Sequence, residues 1–235
     1  MHLHIGRNNV LGRAFSRSGD CKIVTNSEVL SMTREDLSKF SKISISAFNP
    51  ESKLIIQSNE DDLTKFLISN VNTKTHIIYF STARVFAINK DDKHDVYARN
   101  KNLISNLLKR AFPLFSCVYI PNIIPIKLQD RSDFIDQFLK NLSINHVSFD
   151  CNIDSYWNFV HPDKIVKFIN TLERPMLEVM LKNTINLTVK ELVLFAKNVS
   201  KNTGVKISLS TQLKCYPPTL PIEVKVIQLE TLNLD

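Results

Sequence analysis

Three groups of residues carry side chains or backbone that can do chemistry. Tyr97 and Lys101 stand in the run Tyr97-Ala98-Arg99-Asn100-Lys101, inside a stretch with helical periodicity. A spacing of four puts the phenol and the ammonium on one helical face. An ammonium beside a phenol favours the phenolate, which is what a tyrosine needs to pass a proton to or from a sugar hydroxyl. The same pair also reads as a tyrosine and a lysine on a solvated helix. Ser81 and Thr82 follow the apolar run beginning at His76. A hydroxyl at the end of a buried strand can hydrogen-bond a reacting oxygen, although Ser-Thr is also a frequent strand stop. Gly6-Arg7-Asn8-Asn9-Val10-Leu11-Gly12 has the spacing G-x-x-N-x-x-G and holds two of the four glycines in the chain. Glycines between a strand and a helix let the backbone approach a pyrophosphate at the helix N-terminus. Asn9 takes the middle place where glycine is expected. Asparagine tolerates left-handed backbone better than most residues, so the turn can survive, provided that Asn9 takes the conformation that glycine would. Turns of this kind also occur in folds that bind nothing.

The elements that must position these residues alternate along the first half. Strands are expected at His2–Ile5, Lys22–Thr25, Lys42–Ala47, His76–Ser81 and Ser116–Pro121, the last two apolar enough to be buried on both faces. Helices are expected at Val10–Ser18, after the cap Thr33 with Asp36 three residues on, over Asn59–Val71, and over Val96–Arg110. This alternation indicates a Rossmann-like, doubly wound parallel α/β sheet, whose ligands sit outside the carboxyl ends of the strands. The later part is less regular. Helices are expected at Ser132–Leu142, His161–Glu173 and Thr188–Asn202, strands at His146–Phe149 and Val205–Ser210, and a short strand or tail at the end. A soft boundary near residue 123 divides a dinucleotide-binding core (1–123) from a C-terminal part (124–235) that mixes the end of the sheet with a small, trimmed substrate region.

Composition narrows the function classes. The chain has 235 residues and a net charge of +7, with Lys and Arg scattered rather than in blocks. Scattered charge reads as a solubilising surface, so no nucleic-acid partner is expected. Cysteines 21, 117, 151 and 215 lack CxxC spacing, which reads as reduced thiols in a cytoplasmic protein, with no metal site. No cationic leader followed by an apolar stretch is visible, and no run approaches a membrane span.

Taken in order, the glycine turn, the Ser-Thr strand end and the Y-x-x-x-K helix resemble the extended short-chain dehydrogenase/reductase family, which includes nucleotide-sugar epimerases, dehydratases and reductases. STARVF resembles the family segment S-[ST]-x-x-V-[YF], and is nearest to the STDYVF of dTDP-4-dehydrorhamnose reductases, as is LGRAF after the glycines. ISAFNP (45–50) resembles the strand end that lies against the cofactor. VYIPNIIP (118–125) resembles RLPNVYGP, YWNFVHPDKIVKFI (156–169) resembles the F-V-H-V-D-D region, and NLTVKELVLFAKNVSKNTG resembles the late S-V-K-E-L helix. The likeness spans about residues 2–210. It implies that Thr82, Tyr97 and Lys101 are catalytic. It implies cofactor contacts from Gly6, Arg7, Asn9, Val10, Leu11, Gly12, Asn26, Ala47, Phe48 and Ser81, besides Tyr97 and Lys101. Substrate contacts fall to Thr82, Ala83, Arg84, Asn122 and His161, the last also explained as a histidine packed in a helix start. Homodimers in the family often form through a helix pair, for which Val96–Arg110 is the candidate.

The family's dehydratases carry Asp-Glu directly after the catalytic Thr. Here Ala83 and Arg84 hold those places, leaving ketoreductase or 4-epimerase chemistry on a nucleotide-activated sugar, of the sort used in surface polysaccharide synthesis. Candidate residues after the second strand are Asn26 and Ser27, with Glu28 a step further, and Arg7 in the turn can face a 2′-phosphate. This favours NADP(H) over NAD(H). Asn9, the short Thr82–Tyr97 interval, Tyr119, Pro125 and the short chain depart from the family pattern. They support an alternative, a catalytically degenerate nucleotide- or sugar-binding or regulatory protein on the same fold.

Overall fold

The computed structural model describes residues 1–46, 55–86, 96–123, 146–149, 156–182, 186–188, 190–191, 194, 206–209 and 224–229. Its first half runs β1 (His2–Ile5), α1 (Val10–Ser18), β2 (Lys22–Val24), α2 (Asn26–Leu30), α3 (Arg34–Ser38), β3 (Lys42–Ile45), α4 (Ile55–Asn70), β4 (His76–Thr82), a 3₁₀ turn (Ala83–Phe86), α5 (Val96–Ala111) and β5 (Phe115–Ile120). Then follow β6 (Asn122–Ile123), β7 (His146–Phe149), β8 (Tyr156–Val160), α6 (Pro162–Thr171), β9 (Glu178–Lys182), β10 (Asn186–Thr188), β11 (Lys206–Leu209) and β12 (Lys225–Gln228). Seven strands form one parallel sheet in the order β12-β9-β5-β4-β3-β1-β2. This is the doubly wound α/β architecture that the alternation predicts.

The strands are apolar because both faces of the sheet are covered. On one face Leu3, Ile5, Ile43, Ile45, Ile77 and Tyr79 pack against Leu63 and Leu67 of α4 and Ile104 and Leu108 of α5. On the other, Ile78, Phe80, Val118 and Ile120 pack against Phe15 of α1 and Ile165, Val166 and Ile169 of α6. Fully burying such side chains stabilises by about 1.5–3 kcal/mol each relative to exposure.

The chain leaves β1 for β2 on one side and returns to lay β3 on the other. The order therefore reverses between β1 and β3, and the crevice outside their carboxyl ends is where such sheets take ligands. Between β2 and β3 there is no strand but two short helices. Each is opened by a reciprocal capping box, Thr25 with Glu28 and Thr33 with Asp36. After residue 121, β10-β8-β6 make a three-stranded sheet and β11-β7 a pair, while β9 and β12 rejoin the main sheet. The expected helix at 132–142 lies outside the described residues. Of the one from Thr188, the cap is described: Glu191 Oε2 accepts from Thr188 N (2.7 Å) and Oγ1 (2.8 Å). Cys21 and Cys117 are free thiols, and Cys151 and Cys215 lie outside the described residues. Among the described residues, no helix is long and apolar enough to cross a membrane, and no cluster of three His, Cys, Asp or Glu is arranged for a metal.

Candidate functional site

The turn after β1 is built on backbone. The amides of Gly6 and Arg7 both donate to Val24 O, at 2.9 and 3.2 Å, which ties the turn to the end of β2. Gly6 has φ +133, and a Cβ there would lie 2.6 Å from Ser46 Oγ and 2.9 Å from Asn9 Nδ2. At Gly12 a Cβ would lie 2.1 Å from Gly6 O and 2.7 Å from Arg7 O. Both positions therefore require glycine, one for its conformation and one because α1 sits directly on the turn.

Asn9 does not take the left-handed conformation that a glycine there could adopt. Its φ is −103 and ψ 175, an extended N-cap. Its Oδ1 accepts the Gly12 amide at 2.9 Å. Its Nδ2 donates to the Ser46 carbonyl and, at 3.1 Å, to Ser46 Oγ. The side chain thus turns inward and ties α1 to the end of β3, across the point where the strand order reverses. Positive φ is needed at Gly6, not at the middle place, so asparagine fits without backbone strain. Capping consumes the third amide of the helix. Those of Val10 and Leu11 have no intrahelical acceptor, and they lie at the positive end of the helix dipole.

Arg7 reaches along the end of β2. Its guanidinium donates to Glu28 Oε1 (2.8 Å) and to Ile23 O (2.7 Å). Glu28 also accepts from Thr25 N (2.6 Å) and Thr25 Oγ1 (2.9 Å). These bonds, the Thr25 backbone amide first, hold its carboxyl below the usual value. Asn26 is the first residue of α2 and is half-buried.

At the end of β4, Ser81 is buried and its Oγ meets no hydrogen-bond partner among the described residues. Thr82 is half-buried and closes the strand. Lys101 is only 3% exposed. Its Nζ donates to Phe80 O at 3.2 Å and lies 5.1 Å from the Tyr79 ring centroid and 5.7 Å from that of Tyr97. Both distances are within cation–π reach. Tyr97, one helical turn earlier, is 40% exposed. The structure therefore brings the Lys101 ammonium, the Tyr97 ring and the Ser81-Thr82 strand end together. They stand at the same end of the sheet as the glycine turn.

The remaining expected residues fall elsewhere. Ala83 and Arg84 lie in the 3₁₀ turn. Asn122 lies in β6, paired with Phe159. Ala47 and Phe48 are outside the described residues, as are residues 87–95 before Tyr97. His161 is the N-cap of α6, its Nδ1 accepting from Asp163 N at 3.4 Å. This is the helix-start role, and it leaves the ring committed to the cap. Sequence reading missed Ser46, His4 and the Thr25–Glu28 box. The first two were signalled by the H-x-H of β1 and the S-x-S of Ser44–Ser46, whose period of two places like residues on one face.

No family model and no curated protein matches the sequence. Solved structures do match in fold. A dTDP-4-dehydrorhamnose reductase from Clostridium acetobutylicum is similar with a TM-score of 0.66 and 13% identity, over 100% of this chain and 92% of that one. TunA, an NAD-dependent NDP-hexosamine 5,6-dehydratase of tunicamycin biosynthesis, gives 0.64 and 16% identity, over 88% and 83%. A UDP-glucose 4-epimerase from Thermotoga maritima, with UDP-glucose, gives 0.61 and 12% identity, over 88% and 89%. The chain has the fold of the extended short-chain dehydrogenase/reductase structures.

Proposed function

We propose that this chain, folded as the extended short-chain dehydrogenases/reductases are, binds a nicotinamide dinucleotide on the Gly6–Gly12 turn and acts as a ketoreductase or epimerase on a nucleotide-activated sugar. The observation that carries the reading is the buried Lys101 ammonium beside both the Tyr97 ring and the end of β4. A lysine on a merely solvated helix has no reason to be buried there.

The residues present fit the cofactor. The close approach at Gly12 leaves no room for a side chain, and the Val10 and Leu11 amides point a positive helix end at the crevice, a fit for a pyrophosphate. The bound nicotinamide supplies hydride transfer. Tyr97 exchanges the proton with the sugar oxygen. Lys101 favours the Tyr97 phenolate electrostatically and holds the adjoining ribose. Thr82 donates a hydrogen bond that orients the reacting oxygen. Arg7 is held by Glu28, so a 2′-phosphate must displace a carboxylate to reach the guanidinium, whereas a 2′-hydroxyl can donate to that carboxylate. The pair shifts the cofactor reading from NADP(H), expected from Arg7 alone, toward NAD(H). The neighbours named above act on or hold nucleotide sugars, which supports the substrate class. Absence of an Asp-Glu pair after Thr82 supports reduction or epimerisation over 4,6-dehydration.

A second reading, a binding protein without catalysis, is favoured by the Asn9 side chain spanning the crevice. Turnover assays with 4-keto sugar nucleotides and either dinucleotide separate the two. Hydride transfer that disappears in Tyr97→Phe while the dinucleotide still binds supports the enzyme. A dinucleotide that binds with no Tyr97-dependent turnover of any such substrate overturns it.

A further inference from the structure

Parallel sheets are ordinarily apolar on both faces. Under α1 this one is not. His2 and His4 of β1, Ser44 of β3 and Ser46 just past its end form a continuous side-chain chain: His2 Nε2 to Ser44 Oγ, Ser44 Oγ to His4 Nδ1, and His4 Nε2 to Ser46 Oγ, each 2.8 Å. Its upper end is Asn9, whose Nδ2 meets Ser46 Oγ at 3.1 Å and whose Oδ1 takes the Gly12 amide. His4 is fully buried and stacked on Phe15, with ring centroids 4.1 Å apart.

Donor and acceptor counting fixes the Asn9 end of this chain. The Gly12 amide can only donate and the Ser46 carbonyl can only accept, so Asn9 must present Oδ1 to the first and Nδ2 to the second. The second Nδ2 hydrogen then goes to Ser46 Oγ. The Ser46 hydroxyl has two neighbours to which it can donate, His4 Nε2 at 2.8 Å and Asn9 Oδ1 at 3.3 Å. With the nearer one as acceptor, His4 carries its hydrogen on Nδ1 and donates it to Ser44, whose hydroxyl donates to His2 Nε2; with Asn9 as acceptor, the hydrogens along the chain run the other way. Both nitrogens of the His4 ring are satisfied within the protein, so its burial leaves no polar atom unpaired.

We propose that His4 is a positioning residue for the phosphate turn: acting through Ser46, it holds the Asn9 side chain in the crevice and so fixes the N-terminus of α1. This rests on the reading that the turn receives a dinucleotide. His4 itself touches neither cofactor nor substrate. Where a glycine would leave the turn loose and open, Asn9 and the chain beneath it make the turn part of the sheet.

The test compares wild type with His4→Phe, which keeps the ring stack and removes the hydrogen-bond partner of Ser46, and His4→Gln, which restores a polar partner. Residue-resolved hydrogen exchange is read without cofactor, and NADH and NADPH affinities are read by calorimetry. Exchange of the Gly12 amide should rise about five- to tenfold in His4→Phe and return toward wild type in His4→Gln. Amides of β5 should be unchanged, which separates a local effect from general loosening. The same rise should follow Asn9→Gly, and His4→Phe should add nothing in that background. Affinity should fall by a similar factor in His4→Phe with kcat unchanged. Gly12 exchange that is indifferent to His4, or that moves only together with β5, overturns the proposal. A wild type that binds neither dinucleotide overturns the functional reading instead, because the exchange arm needs no ligand.

Discussion

The buried histidines make the fold labile to mild acid. Burial pushes the His4 pKa down to about 3, helped by the neighbouring His2. Burial likewise lowers His2 and His76 to about 4, with the Lys42 ammonium adding to both. In the unfolded chain these groups titrate near 6.5. Between 6.5 and the folded values the unfolded state binds more protons, so stability is complete above pH 6.5 and falls as pH falls. At pH 5 His4 remains neutral in the fold and charged in the unfolded chain. The difference is about 1.5 pH units at roughly 1.36 kcal/mol each, or about 2 kcal/mol. His76, also buried, adds a similar amount, and half-exposed His2 less. The lowered carboxyls of Glu28, Asp36 and Glu191 lose their contribution only at lower pH, so the window from 6.5 to 5 belongs to the histidines. Urea unfolding of wild type and His4→Gln at pH 7 and pH 5, at fixed ionic strength, measures this. The wild type should lose several kcal/mol on acidification, and the variant about 2 kcal/mol less. An equal loss in both proteins refutes the assignment.

Other substitutions probe the site itself. Gly12→Ala places a Cβ 2.1 Å from a backbone carbonyl; it should displace α1 from the turn and lower dinucleotide affinity by more than tenfold in a fluorescence titration, about 1.4 kcal/mol or more. Lys101→Met keeps the buried stem and removes the ammonium; initial rates should fall by about 100-fold or more, with substrate affinity little changed. Glu28→Gln releases Arg7; the NADPH to NADH affinity ratio should rise several-fold, while stability changes little because the ion pair is exposed.

Most of the fold was legible because its strands advertise themselves. HIIYFS and SCVYI are apolar runs too short for buried helices, and the helices between them keep their period. What stayed hidden lacked such a signal. The strand Glu178–Lys182 has only three buried apolar residues between charged ends; its place beside β5 is set by tertiary pairing. The helix Asn26–Leu30 is too short to show periodicity and exists through the Thr25–Glu28 box. That box also put Glu28 onto Arg7, which Arg7 alone did not suggest. The catalytic parts expected of Thr82, Tyr97 and Lys101 came from the family resemblance, and the gathering of these residues at one sheet end follows from the parallel topology. The sequence leaves open whether Asn9 can stand in for glycine, because no local signal shows that the positive φ of the turn belongs to Gly6. An extended Asn9 then points its side chain at Ser46, just past the end of β3, a contact distant in sequence that no local pattern encodes.

The central claim is that residues 6–12 hold a dinucleotide whose reactive end faces Tyr97 and Lys101. A crystal structure of the chain soaked with NADH tests it most directly. The account predicts the pyrophosphate on the Val10 and Leu11 amides and the nicotinamide ribose within hydrogen-bond distance of Lys101 Nζ and the Tyr97 hydroxyl. A dinucleotide bound away from the turn, or a turn left empty at saturating NADH and NADPH, contradicts it.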